Sequence, residues 1–380
     1  MSRLRTRGHR TAVAFVVRAI ATEQPPHAVL FVGPDGVGKT TLSLDLAAGL
    51  LCLAADSSQR PCRECAACRK VDHLNHPDLH RLAPEGAGQQ IRVAQVHELV
   101  SQLALLPLEG RFRIAIVEHA QRLNLDAQNA LLKTLEEPPG RACLILAADD
   151  STALLATVVS RCARLRLGTL DDETIGEMLT VAGLADRASG AALARVAGGR
   201  PGVALALARH PEAVLAHGRL VRTLIDLVRA DRRTRLAAQA DLIEGGAVLA
   251  AAAGSQSSDG DDQAQQPKPA RRRTATPERT TAARRPSPAE RRGAVAVVIS
   301  VWHDVARDLA VAAKGGRREL RQVDLLDDLV RAAANTDPAE LVAFMARLDG
   351  VGRALDAYAN PELALDALLL AWPRQRAAAA

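Results

Sequence analysis

Short, wholly apolar runs alternate with amphipathic stretches through the first 170 or so residues. Ala28–Val32 (AVLFV), Asp78–Leu82, Arg113–Val117 (RIAIV), Ala142–Ala147 (ACLILA) and Arg164–Leu167 predict strands. Thr40–Leu53, Ile91–Leu105 and Leu125–Glu137 have helical spacing. Apolar strands separated by helices imply a parallel sheet covered on both faces, an α/β domain. Beyond Leu170 the β pattern fades. Asp171–Ala182, Asp186–Val196 and Gly202–Arg209 predict a small three-helix unit. From Pro211 the chain is Leu/Ala/Arg-rich with helical spacing, and its last helix opens at Asn360-Pro361, a capping residue followed by proline at the first helical position. The predicted order is an α/β domain over 1–168, a small helical unit over 169–210 and an all-α domain over 211–380.

Residues 254–293 break the helical pattern. They are rich in Pro, Ser, Gln and Arg and lack Val, Ile, Leu and aromatic side chains. Such a stretch cannot bury enough apolar surface to offset its chain entropy, so it is expected to be a disordered insert. It also changes the meaning of the charge. The chain carries a formal +6, but Lys268–Arg292 holds nine Lys/Arg against Glu278 and Glu290, leaving −1 for everything outside that window. The basic bias belongs to the insert, either as a solvated spacer or as a weak phosphate contact.

Composition removes other classes. Only seven residues are aromatic (four Phe, two Trp, one Tyr), which argues against a base-stacking platform. No run approaches the roughly 18 apolar residues of a membrane span, so no membrane partner is expected. Arg18 interrupts the apolar stretch TAVAFVVRAIA near the N-terminus, and no cleavage pattern follows, so no signal peptide is read.

Two motifs carry chemistry. Gly33-Pro34-Asp35-Gly36-Val37-Gly38-Lys39-Thr40 fits the phosphate-loop pattern in full, between an apolar strand and an amphipathic helix. Its glycines let backbone amides turn toward a polyphosphate at a helix N-terminus, Lys39 would reach the β/γ-phosphates, and Thr40 would hold Mg²⁺. The nucleotide set is Gly33, Gly36, Gly38, Lys39, Thr40, Thr41 and Glu118. Glu118 ends the third strand where a metal-coordinating carboxylate is needed, but His119 stands where a water-polarising carboxylate would be. Hydrolysis is therefore expected to be impaired or absent. The second motif is Cys62-x-x-Cys65-x-x-Cys68, with Cys52 ten positions upstream. Four thiolates at this spacing suggest a closed, structural Zn²⁺ site, with His73 and His76 as alternative ligands nearby. Cys143 and Cys162 are expected to be packed core residues.

Three features then occur together: the phosphate loop, the cysteine cluster and Asn129-Ala130-Leu131-Leu132-Lys133-Thr134-Leu135-Glu136-Glu137-Pro138-Pro139, followed by Ser160-Arg161-Cys162. This combination resembles the bacterial clamp-loader family of AAA+ proteins, the gamma/tau and delta-prime subunits of DNA polymerase III. The resemblance extends to the last helix, Asn360–Leu370, and covers nearly the whole chain except the insert. It implies an AAA+ P-loop domain with a zinc module at 52–68, a helical lid domain and an all-α collar domain.

Departures from the family's motor pattern point to the delta-prime branch. A gamma/tau motor has an Asp-Glu pair where this chain has Glu118-His119. It has a Thr or Asn sensor where this chain has Ala147-Ala148-Asp149-Asp150. It has a second sensor arginine, where aligning the Val203–Leu207 run puts Gly202, with Arg200 close by. The resemblance implies a stationary subunit with weak or no ATPase activity of its own and no polymerase site. Arg161 would serve as an arginine finger in a neighbouring gamma/tau site; its plain alternative is a surface arginine paired with an acid. Implied cofactors are structural Zn²⁺ and ATP with Mg²⁺. Implied partners are gamma/tau and delta subunits, with the sliding clamp and primed DNA met through the assembled complex, in the cytoplasm at the nucleoid. The alternative within the family is a gamma/tau-type motor.

Overall fold

The structure is a computed structural model that describes residues 3–84, 90–254, 286–316, 320–322, 325–334, 336–357 and 359–374. It divides into two compact units, Met1–Pro211 and Glu212–Ala380.

The first unit runs α1 (Arg10–Thr22), β1 (Ala28–Val32), α2 (Lys39–Leu51), α3 (Ala66–Asp72), β2 (Leu79–Leu82), α4 (Val93–Leu103), β3 (Arg113–Val117), α5 (Leu125–Glu136), β4 (Ala142–Ala148), α6 (Ala156–Val159), β5 (Ala163–Arg166), α7 (Asp172–Val181), α8 (Arg187–Ala197) and α9 (Pro201–Arg209). The five strands form one parallel sheet in the order β2-β3-β4-β1-β5. Alternate residues of each strand enter opposite cores, as the unbroken apolar runs require. Val29, Phe31, Ile114, Ile116 and Ile145 pack on Val16 and Ile20 of α1 and Leu42 and Leu46 of α2. Leu30, Ala115, Val117, Leu144 and Leu146 pack on Val96 and Leu99 of α4 and Leu131 and Leu135 of α5. Helices α7, α8 and α9 have a separate small core of Ile175, Leu179, Ala194, Ala197 and Ala204.

The strand order places the site. From β1 the chain crosses to the far edge of the sheet, works back through β3 and β4, then passes β1 to form β5. The topological switch therefore lies at β1, and ligands of open α/β sheets bind outside the strand carboxyl ends at such a point. The turn from β1 into α2, residues 33–38, occupies it.

The second unit is helical: α10 (Pro211–Asp226), α11 (Arg232–Ala237), α12 (Gln239–Gly254), α13 (Pro288–Ala313), α14 (Leu326–Ala333), α15 (Pro338–Asp356) and α16 (Pro361–Ala371). Three of the chain's few aromatics meet in its core. Trp302 lies 5.3 Å from Phe344 and 5.4 Å from Trp372, and Phe344 lies 4.7 Å from Trp372, ring centre to ring centre. The Trp372 indole donates to Leu224 O at 3.1 Å. Arg235, fully buried, donates to the carbonyls of Trp372 and Pro373 just past α16 and to Val228 O. Asn360 caps α16 through the amides of Glu362 and Leu363, as its position before proline predicts.

Two expectations change here. The insert ends earlier than its composition suggests, because α13 starts at Pro288. Ser287 and Glu290 form a reciprocal capping box there, and Arg291 pairs with Glu362. Residues 255–285 of the insert lie outside the described residues. Where no span was expected, Arg232–Gly254 is long and apolar enough by length and composition to cross a membrane. It comprises two helices, α11 and α12, and much of its apolar character is alanine. Gly246 packs so closely on α13 that a Cβ there would lie 2.4 Å from Ala294 O.

Candidate functional site

The phosphate loop is built by the sheet. Gly33 N donates to Ala148 O at 3.1 Å, and any Cβ on Gly33 would lie 2.1 Å from Leu167 O, so only glycine fits between β4 and β5. Gly36 and Gly38 take left-handed backbone angles, φ +78° and +102°, and α2 begins at Lys39. His9 Nε2 donates to Val37 O at 2.9 Å, holding the N-terminal segment against the loop. Gly202 N, at the start of α9, donates to Gly36 O at 2.8 Å. A Cβ on Gly202 would sit 3.0 Å from that oxygen, which gives a steric reason for glycine at the position where the motor pattern has arginine. Arg200 Nε donates instead to Ala197 O at 3.0 Å.

Lys39 is 7% exposed and its ammonium is fully engaged. It donates to Gly33 O at 2.7 Å, Pro34 O at 2.9 Å and Asp149 Oδ1 at 2.7 Å, which uses all three of its protons. Asp149 is fixed by one residue on two sides. The Gln121 amide donates to Oδ2 at 2.6 Å, while the Gln121 carbonyl accepts from Asp149 N at 3.2 Å. Thr40 is exposed and Thr41 half-buried at the start of α2.

The register explains this meeting. Val32 pairs with Ala148 and Leu146 with Val117, so the residues following β1, β3 and β4 emerge side by side. Asp35, His119 and Asp149 each present a ligand atom within 4.8 Å of the others. His119 stands in a left-handed backbone conformation, φ 48°, uncommon for a residue with a side chain. Glu118, assigned to the nucleotide set from sequence, is not in this group. It accepts from Arg81 at 2.8 and 3.1 Å and is directed to β2. The carboxylate at Lys39 is Asp149, 110 positions away in the chain. Its identity was visible in the sequence at a sensor position, but its pairing was not.

At the other end of α2 the chain turns extended at Cys52. The thiols of Cys52, Cys62, Cys65 and Cys68 all lie within 4.8 Å of one another, with Cys52 and Cys65 at 4.0 Å. Four Zn–S bonds of about 2.3 Å in a tetrahedron give sulfur–sulfur edges of about 3.8 Å, so the donor set fits. Backbone amides face the sulfurs: Cys62 N to Cys52, Cys65 N to Cys62 and Cys68 N to Cys65, each 3.4 Å. Burial opposes ionisation of Cys62, but the amides of Glu64 and Cys65 and the thiols of Cys52 and Cys65 outweigh it, bringing it down to about 7. Burial pushes Cys143 up to about 12 and Cys162 up to about 11, in keeping with packed thiols. His73 and His76 lie outside the four-thiol group; His76 Nδ1 accepts from Asp78 N at 3.1 Å.

Charged residues tie this module to the start of the chain. Fully buried Asp45 accepts from Arg5 N at 3.1 Å, Thr6 N at 2.8 Å and Thr6 Oγ1 at 2.7 Å, and pairs with Arg63. Arg63 also meets Asp72 at 2.6 Å, as does Arg5 at 2.9 Å. Asp78, equally buried, accepts the amides of Leu108, Glu109 and Gly110 at 2.6 to 2.9 Å and fixes the turn before β3.

Arg161 follows α6. It pairs with Glu136 of α5 at 2.8 Å and donates to Thr157 O at 3.0 Å, with its side chain about one-third exposed. Its platform is set by buried Gln128, which donates to Leu123 O and Ala153 O and accepts from Leu155 N at 2.7 Å. Leu131 and Leu135 bury one face of α5, while Lys133, Glu136 and Glu137 are exposed.

A parallel sheet of this order, with a full phosphate loop at its switch point and flanking helices, is an AAA+-type P-loop fold. Residues 8–171 match the sequence family described as DNA polymerase III, delta subunit. The chain is 34% identical over 161 residues to DNA polymerase III subunit delta' of Bacillus subtilis, covering 42% of this chain and 48% of that protein. It is 41% identical over 146 residues to subunit delta' of Pseudomonas aeruginosa, covering 37% and 43%. It is 33% identical over 172 residues to subunit tau/gamma of Haemophilus influenzae, covering 45% and 24%. The matches span less than half the length of each of these relatives. A gamma subunit-related protein of Thermotoga maritima aligns over 91% of this chain and 99% of its own, at 16% identity and a TM-score of 0.39. Through residues 8–171, the chain is similar to delta' and tau/gamma subunits of DNA polymerase III.

Proposed function

We propose that this protein is a delta-prime-type subunit of the DNA polymerase III clamp loader. It acts as a stationary member that assembles with gamma/tau and delta subunits in the cytoplasm and supplies Arg161 in trans. The observation that carries this reading is the contrast between two cations. Lys39 is enclosed and neutralised by Asp149, whereas Arg161 is at the surface, restrained mainly by Glu136. An exposed pair of that kind is worth roughly 0–1 kcal/mol, so a neighbouring γ-phosphate can take the guanidinium from Glu136 at little cost. A guanidinium there stabilises charge developing on the transferred phosphoryl group.

The same geometry supports weak or absent hydrolysis by the chain itself. Glu118 is held by Arg81, His119 replaces a base, and Gly202 leaves no second sensor. The phosphate loop keeps its glycines and the start of α2 for binding nucleotide, while Lys39 is held by Gly33 O, Pro34 O and Asp149. Zn²⁺ on Cys52, Cys62, Cys65 and Cys68 would be structural, closing the loop between α2 and β2 with no open coordination position. The division into AAA+ domain 1–168, lid 169–210 and collar 211–380 is part of this reading, with the sliding clamp and primed DNA met through the assembly.

The test is ATP turnover by the isolated chain and by a loader reconstituted with gamma/tau and delta subunits. The isolated chain should turn over negligibly, and Arg161→Ala should depress primed-DNA-stimulated turnover without preventing assembly. Brisk turnover by the isolated chain, abolished by Lys39→Ala, would establish the gamma/tau-type motor instead.

A further inference from the structure

We infer that the phosphate loop is a nucleoside-diphosphate site, and that Asp149 excludes the terminal phosphate of a triphosphate. The inference rests on the nucleotide-binding reading of this loop and specifies its ligand. In a phosphate loop the lysine serves the β- and γ-phosphates. Here the third proton of Lys39 is already on Asp149 Oδ1 at 2.7 Å, so a protein carboxylate sits where the terminal phosphate would meet the ammonium. Gln121, bonded to both the Asp149 amide and its Oδ2, keeps that carboxylate from swinging away.

The surroundings reinforce the exclusion. Asp35, in the loop itself, brings a second carboxylate to within 4.8 Å of Asp149, and the third member of the group is His119. At position 202 a Cβ would lie 3.0 Å from Gly36 O, and the nearby Arg200 donates its Nε to Ala197 O. A γ-phosphate would enter facing two carboxylates and compete with one of them for Lys39. A diphosphate ends short of them. Its β-phosphate needs only the amides at the start of α2 and one proton of Lys39 surrendered by Gly33 O or Pro34 O.

The experiment is competition of unlabelled ADP and ATP against a fluorescent ADP analogue on the full-length, reduced, zinc-loaded chain, with and without Mg²⁺. It is run on the native protein and on Asp149→Asn, which keeps the shape and removes the charge; Asp149→Thr is the second variant should the first fold poorly. The native protein should prefer ADP over ATP by about tenfold or more. Asp149→Asn should tighten ATP by about tenfold or more while moving ADP by less than about threefold. Equal affinities for the two nucleotides, unchanged in both variants, would overturn the inference and leave nucleotide binding intact. An ATP preference that needs Mg²⁺ and is lost in Asp149→Asn would also overturn it, by making Asp149 a metal ligand. Binding of neither nucleotide to any of these folded proteins would remove the nucleotide reading and the inference together.

Discussion

Helix α2 has the phosphate loop at its N-terminus and delivers Cys52 to the thiol cluster past its C-terminus. Both ends present polar groups suited to a ligand, yet they differ in what those groups already do. The four thiols converge on one another with backbone amides behind them. The phosphate loop converges too, but its lysine is satisfied by two carbonyls and Asp149. A motif complete in sequence can be an open site or one closed by the chain's own side chains. What separates the two is the partners of the donors, not the donors themselves. The same distinction applies across the unit: groups satisfied internally should register in stability, and groups turned outward should register in function.

The largest effect should come from the open site. Structural Zn²⁺ in such turns contributes on the order of 10 kcal/mol of apparent binding energy. Metal analysis of reduced protein should find one tightly held ion, and thiol modification should release it and loosen residues 52–72 to proteolysis while the sheet persists. Absence of metal from intact reduced protein would remove the contrast between the two ends of α2. Next is Asp45→Ala, which strips a buried acceptor from Arg63 and from the amides of Arg5 and Thr6. Breaking a buried pair in this way costs about 3–5 kcal/mol, measurable by denaturant unfolding. Asp78→Asn is milder, about 1.5–3 kcal/mol for hydrogen bonds to a charged group.

Asp78 also carries a pH signature. Burial raises its carboxyl, but the three loop amides outweigh this and hold it below the usual carboxylate range. A depressed native value means the stabilisation is present above about pH 4 and lost as pH falls through and below that point. The native protein should lose stability on that acid limb more steeply than Asp78→Asn. The smallest stability effect belongs to Arg161→Ala, less than about 1 kcal/mol for an exposed pair. If it unfolded the protein, Arg161 would be a structural residue and not an outward-facing one.

What could be read from sequence follows sequence distance. The strands were legible to within a residue or so because a sheet covered on both faces demands continuous apolar runs. The thiol cluster was legible because three of its members lie within seven consecutive positions. The Lys39–Asp149 pair was not, because it exists only through the register of β1 against β4. Glu118 was assigned to the site by its place after β3, but Arg81 on the neighbouring strand engages it. The start of α13 was written in Ser287-Pro288-Ala289-Glu290, a capping signal overshadowed by the basic, proline-rich composition around it. In the second unit nothing local announced that Trp302, Phe344 and Trp372 would meet, since helix packing joins residues 70 positions apart.

The two cations, Arg161 and Lys39, can be compared in one assay. A loader reconstituted with gamma/tau and delta subunits is assayed for primed-DNA-stimulated ATP turnover with this chain as native, Arg161→Ala or Lys39→Ala. Arg161→Ala is expected to lower turnover at the one neighbouring site it serves, where an arginine finger is worth about 10³–10⁵ in rate, and Lys39→Ala to leave loader turnover close to native. Loss of turnover with Lys39→Ala and none with Arg161→Ala would contradict the stationary-subunit reading.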